Sequence, residues 1–171
     1  LMFFARGIPV IYYGDEQGFV GDGGDHDARQ DMMPSKVASF NDDKLMATNK
    51  TTADDNFDRN HPLYQTMKRY ADIYRENHGL RYGKHQTFYA DDKPGIYGFT
   101  RTVENSGEKY VIAFNTANDS KAVALPTGNA DYELVYSESG AGVEGNGDDA
   151  SKILTVPGLS FVIYRTYSAK G

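Results

Sequence analysis

Cysteine is absent from the 171 residues, and so is tryptophan. The first absence excludes disulfides, thiolate nucleophiles and cysteine-ligated zinc, and it leaves the compartment open because export does not require disulfides. No run of Lys or Arg occurs, and 24 acidic against 18 basic residues give a formal net charge of -6. A nucleic-acid partner calls for a basic footprint, so neutral or cationic partners fit this chain better. Long apolar runs are missing as well. Nothing approaches the roughly 20 residues of a membrane span, and the opening "LMFFA" has neither the basic start nor the length of a signal peptide.

What is present suits a folded chain. Hydrophobic residues make up 39% and aromatics 13%, the latter from 13 Tyr and 9 Phe, a composition far from that of disordered segments. The length allows one ordinary domain or parts of two. The chain opens on Leu1, inside an apolar segment, which predicts a piece of a longer protein.

The apolar run "IPVIYY", residues 8–13, is rich in β-branched and aromatic side chains and predicts a strand buried on both faces, as in parallel sheets covered by helices. Such a strand needs neighbours for its backbone groups. Residues 18–60 are polar and rich in Gly, Asp and Asn, which predicts an extended loop, and loops of that length are uncommon unless functional. "NHPLYQTMKRYADIYRENHG" predicts a helix, with Asn60 or His61 in the cap region, Pro62 in the first turn and Gly79 just past the end. Leu63, Met67, Tyr70, Ala71 and Tyr74 form one stripe, so this helix packs on something large. From Lys84 the pattern changes. Seven β-prone runs, "QTFYA", "GIYGFTRT", "KYVIAFN", "KAVAL", "DYELVYS", "KILTV" and "LSFVIYRTY", predict an antiparallel sandwich. "ENSGE" and "TGN" read as turns, and "SGAGVEGNGDD" reads as one flexible loop.

Taken in order, "GIPVIYYGDEQG", the loop "GDGGDHDARQDM", the "HPLYQTMKRYADIYRENHGLRYG" helix and the β module resemble the C-terminal part of the α-amylase family, glycoside hydrolase family 13. The match runs over essentially the whole chain. The first motif looks like the family's eighth barrel strand, a fairly specific signal when a D-x-x-x-R loop follows, whereas the β module matches in architecture more than in motif. The fold this implies is α+β: residues 1–83 are the last β/α unit of a (β/α)8 barrel, and residues 84–171 are an all-β antiparallel sandwich. The site of such a barrel lies at the C-terminal ends of its strands. Family members act on α-glucosidic bonds with retention, using an Asp nucleophile, a Glu acid/base and a third Asp on the fourth, fifth and seventh strands, which would precede Leu1. The resemblance therefore implies an α-1,4-glucan (starch or maltooligosaccharide) as partner, together with the upstream remainder of the barrel. It implies no catalytic residue in this chain, which alone should be inactive. Secretion or periplasmic location follows by the same resemblance. The rival reading is a non-catalytic carbohydrate-binding sandwich, which an exposed row of aromatics on one sheet face would favour.

Individual residues can be weighed against that frame. Retaining hydrolysis needs two carboxyl groups about 5 to 5.5 Å apart across one bond. Asp15 and Glu16 are sequence neighbours whose side chains would diverge in extended geometry, so they are expected to tie down loops instead. "DHD", Asp25 to Asp27, superficially resembles the family's His-Asp pair, but that pair follows an apolar seventh strand, and the role is not carried onto Asp27. Asp25 and Arg29 are the best carry-over, since family residues spaced this way after strand eight contact the sugar ring beside the cleaved bond. A carboxylate accepts from adjacent hydroxyls and a guanidinium donates in a fixed fork; the alternative is a loop salt bridge. Asp22, Asp25, Asp27 and Asp31 could offer calcium hard oxygens, but their spacing is not that of an EF-hand. They read as solvated loop carboxylates, with calcium left to the longer enzyme. The four His residues, His26, His61, His78 and His85, have no zinc spacing. Among the β-module tyrosines, Tyr89, Tyr97, Tyr110 and Tyr132 could stack on glucose, but strand alternation makes several of them core.

Overall fold

A computed structural model of the chain describes residues 1–126, 130–140, 142–145 and 152–167. It divides into two compact units. One holds Met2 and Gly7–Glu76, and the other holds Leu1, Phe3–Arg6 and Asn77–Gly171.

In the first unit the expected strand over 8–13 does not form. Ile8 is 88% and Val10 74% exposed, and no described strand lies alongside to accept their backbone groups. A strand of the doubly buried kind exists only between two others, so the strand half of the expected β/α unit is missing. The long polar stretch after it is irregular as expected, apart from helix α1 (Ala38–Asn41) and an isolated bridge between Lys44 and Thr51. Buried Asn56 holds this stretch in shape by donating to the carbonyls of Thr51 and Asp54.

Helix α2 (Pro62–Glu76) follows. His61 caps it with its ring: Nδ1 accepts from the Leu63 amide at 3.2 Å, and Nε2 lies 3.0 Å from the Met46 carbonyl. Those partners assign the proton to Nε2. The apolar stripe of Leu63, Met67, Tyr70, Ala71 and Tyr74 is only half-buried.

The helix stops earlier than its glycine suggests. Asn77 turns extended (φ -111, ψ 99), and a second helix, α3 (His78–Tyr82), begins in the other unit. Gly79 thus lies inside α3. A Cβ there would sit 2.5 Å from the Tyr110 ring, so this glycine permits close packing and is not a stop signal.

The rest of the second unit is β. All seven expected runs are strands: β1 (Lys84–Ala90), β2 (Ile96–Thr102), β3 (Glu108–Asn115), β4 (Lys121–Ala124), β5 (Glu133–Ser137), β7 (Lys152–Val156) and β8 (Ser160–Tyr167). A short eighth strand, β6 (Gly142–Gly145), lies within the stretch expected to be a flexible loop. The expected turn "TGN" lies outside the described residues. Every pairing is antiparallel, in one sheet of order β1-β2-β3-β8-β5 and another of order β4-β7-β6.

Ile96, Val111, Ala113, Val162 and Tyr164 of the larger sheet cluster with Val123, Leu154 and Val156 of the smaller, which is how alternate residues of two sheets build a sandwich core. The opposite face of the larger sheet carries an aromatic row. His85 stacks on Phe99, Phe99 on Phe114 and Phe114 on Phe161, and Tyr136 leans on Phe161. Phe4 covers the end of this row, 5.5 Å from the Phe161 ring and only 1% exposed. Buried Arg101 donates to the carbonyls of Ala5 and Arg81. Residues 3–6 and α3 are thereby tied to the β unit, which explains why that unit begins before the loop.

Candidate functional site

"YYGDEQG" folds into a tight turn because both glycines adopt left-handed backbone: Gly14 at φ 95 and Gly18 at φ 74 flank a single turn of 3-10 helix, Asp15–Gln17. Conformations of that kind are strained for other residues. At Gly18 there is no room either, since a Cβ would meet the Met46 carbonyl oxygen at 2.5 Å. Asp15 and Glu16 spend their carboxylates on this turn, accepting from the amides of Tyr12 and Gly14, each at 3.0 Å. Neither is paired with the other as a catalytic couple would require.

Gln17 is 3% exposed and clamps Asp58, donating to its carbonyl at 3.1 Å and accepting from its amide at 3.3 Å. The Asn60 amide and then the Lys50 ammonium hold the Asp58 carboxyl below the usual carboxylate range. The turn is therefore anchored to the cap of α2. Sequence reasoning missed Gln17 and Asp58; a single buried glutamine in a glycine-bounded turn leaves no periodic signal.

The loop that follows is exposed throughout Asp22–Arg29. Gly21 (φ 48) and Gly23 (φ 70) start a helix-like turn in which the Ala28 amide donates to Gly24 and the Arg29 amide to His26. One such turn brings residues four apart onto one side. Arg29 Nη2 consequently donates to Asp25 Oδ2 at 2.5 Å, with the two side chains 57% and 73% exposed. Neither side chain makes another hydrogen bond among the described residues, which leaves several guanidinium donors and one carboxylate oxygen open.

Tyr12 and Tyr13 lie earlier in the same unit, with ring centroids 4.5 Å apart and roughly half of each exposed. Tyr13 is pushed up by its hydrogen bond with Tyr12 and, more weakly, by the Asp31 carboxylate, while Arg29 pulls the other way. Tyr13 is thus within electrostatic reach of Arg29 and Asp31. Asp27, exposed like its neighbours, accepts from the Gly24 amide at 3.4 Å. Among the described residues no group of three or more His, Asp or Glu converges to hold a metal.

In the β unit Tyr110 is buried, its hydroxyl donating to Glu108 Oε1 at 2.9 Å with the Asn77 side-chain amide 3.3 Å away, while Tyr97 and Tyr132 are half-buried and Tyr89 is 41% exposed. The aromatic row on the larger sheet is covered: Phe99, Phe114 and Phe161 are 0%, 8% and 7% exposed.

No protein-family model matches the chain. An α-amylase of Streptomyces lividans is 41% identical to it over 165 residues, covering 96% of this chain and 18% of that protein. Among solved structures, an Anoxybacillus α-amylase superposes with a TM-score of 0.68 at 24% identity, covering 99% of this chain and 31% of the other. An α-amylase from Geobacillus thermoleovorans, complexed with acarbose, gives 0.67 at 24% identity over 99% of this chain and 32% of the other. The chain thus spans less than a fifth of the curated relative and about a third of each solved chain.

Proposed function

Since the chain belongs to the α-amylase family, glycoside hydrolase family 13, and corresponds to its C-terminal part, we propose that the whole protein cleaves α-1,4-linked glucans by double displacement. The observation that carries this reading is 41% identity to an α-amylase over 96% of the chain. The nucleophile and acid/base lie in the longer enzyme, upstream of this chain. The engagement of Asp15 and Glu16 by backbone amides agrees with that, because a carboxylate fixed in its own turn is poorly placed to attack a sugar. The exposed run Ile8 to Tyr13 and the half-buried stripe of α2 are the surfaces that the rest of the barrel would cover. The enzyme works outside the cytoplasm, in the periplasm or beyond.

Asp25 and Arg29 hold the sugar next to the cleaved bond. In the absence of sugar they pair with each other; on binding, the guanidinium turns its open donors to sugar oxygens while the carboxylate accepts from hydroxyls. The open guanidinium donors and carboxylate oxygen of this exposed loop support the role. The β unit is chiefly structural, since its aromatic row is buried and offers no exposed stacking face of the kind a binding module needs.

The test is kinetic, in the whole enzyme. Arg29→Ala and Asp25→Ala should each lower kcat/KM on maltoheptaose by about tenfold to a thousandfold, the range expected when a charged hydrogen bond to substrate is lost. Unchanged kcat/KM in both would overturn the assignment.

A further inference from the structure

Arg29 is exposed, whereas Gln30, the next residue, is only 1% exposed. Its Nε2 donates to Asp43 Oδ2 at 3.4 Å, and among the described residues its Oε1 is buried with no hydrogen-bond partner. An unpaired buried acceptor costs stability. An apolar side chain of similar size would fill the same space without that cost, so the amide points to a role other than packing.

The place where it attaches gives the role. The exposed turn of Asp25 and Arg29 belongs to residues 18–30, and both ends of that stretch reach one short segment, residues 43–46. At the first end the Met46 amide donates to the Gly18 carbonyl at 2.8 Å, directly after the clamp of Gln17 on Asp58. At the second end Gln30 donates to Asp43. Between them Gly21 lies against Ala28, so close that a Cβ on Gly21 would stand 2.8 Å from the Ala28 Cα. The segment is itself fixed: Leu45 is 3% exposed, its amide donates to the Lys50 carbonyl at 3.1 Å, and the Met46 carbonyl is held by His61. Of these attachments Gln30 is the one adjoining Arg29, so losing it frees the backbone that aims the guanidinium.

We propose that Gln30, through its hydrogen bond to Asp43, is a positioning residue that sets where Arg29 presents its donors to the sugar. This role rests on the substrate contact proposed above for Arg29; Gln30 acts through Arg29 and not on the sugar. A displacement of about 1 Å in a binding group can cost on the order of a hundredfold in rate.

The experiment is steady-state kinetics of the whole enzyme on maltoheptaose, with urea unfolding of each variant. Gln30→Leu should lower kcat/KM about tenfold without lowering the urea midpoint. In an Arg29→Ala background it should lower kcat/KM no further, because no guanidinium is left to position. Asp43→Ala should reproduce the loss, and Asp43→Asn, which keeps an acceptor, should recover most of it; this pair decides the matter even where Gln30→Leu fails to fold. Unchanged kcat/KM in Gln30→Leu and Asp43→Ala overturns the proposal, and so does a loss from Gln30→Leu that is as large in the Arg29→Ala background as in the wild type. Activity losses that track falls in urea midpoint across the variants would show a merely structural role and overturn it as well. If Arg29→Ala alone leaves kcat/KM unchanged, the substrate contact of Arg29 falls and the role of Gln30 with it; if Arg29→Ala is impaired and Gln30→Leu is not, the role of Gln30 alone falls.

Discussion

Phe4 lies far from the β strands in sequence, yet it is 1% exposed and packs on Phe161 of β8. Replacing it with alanine should leave a hole over the aromatic row. A buried aromatic ring of this kind removes about 150 to 250 Å2 from water, and at about 25 cal/mol per Å2 its burial is worth about 4 to 6 kcal/mol before the alanine methyl is credited. Measured Phe→Ala substitutions in cores cost about 3 to 5 kcal/mol. The edge position of Phe4, at the end of the row and on a segment that can partly collapse, places the expected loss near the lower figure. With an m-value of about 2 kcal/mol per M in urea, a loss of about 3 kcal/mol moves the unfolding midpoint down by about 1.5 M. The assay is urea unfolding followed by far-UV circular dichroism and tyrosine fluorescence, which is available because the chain has no tryptophan to mask it. Phe57→Ala, at a residue 64% exposed, is the control and should move the midpoint little. A Phe4→Ala shift as small as that of the control would refute the idea that residues 3–6 complete the β unit.

Two further outcomes follow from the same geometry. Gly18→Ala combines a left-handed backbone with a Cβ that would approach the Met46 carbonyl at 2.5 Å, so it should cost more than the ~1 kcal/mol of the backbone conformation alone. Proteolysis within residues 14–61 should accelerate, and an unchanged cleavage rate would argue against the turn. Burial, with the hydrogen bond to Glu108 adding to it, pushes the Tyr110 phenol up to about 12 from its usual 10. Because the folded state holds this proton more tightly than the unfolded state, the stability involved is fully present below pH 10 and is lost as pH rises from 10 towards 12. Urea midpoints should fall across that window, and Tyr110→Phe should flatten the fall; equal slopes in both proteins would show that other groups cause it.

Much of the β unit was legible in the sequence. Alternation and turn residues located seven strands, because side chains on opposite faces of a strand meet different solvents and the residues must alternate to match. The eighth, Gly142–Gly145, is too short and glycine-rich to show such a pattern. The stripe and Pro62 located α2, but Gly79 misled: a glycine's missing Cβ signals a helix end or a close approach equally well, and here the close neighbour is the Tyr110 ring. In the loop, the family resemblance singled out Asp25 and Arg29 by their spacing, with a salt bridge as the alternative. The glycine-started turn that makes them a pair required the backbone.

What the sequence determined by itself was the local: which segments prefer strand, helix or turn, and which carboxylates and cations are close neighbours along the chain. What only the tertiary structure decided was the non-local. It inserted β8 between β3 and β5, brought Phe4 to Phe161, and joined Gln17 to Asp58. It also left Ile8 to Tyr13 without a ladder, because a strand's free energy lies in hydrogen bonds and packing that its neighbours supply and its own residues cannot.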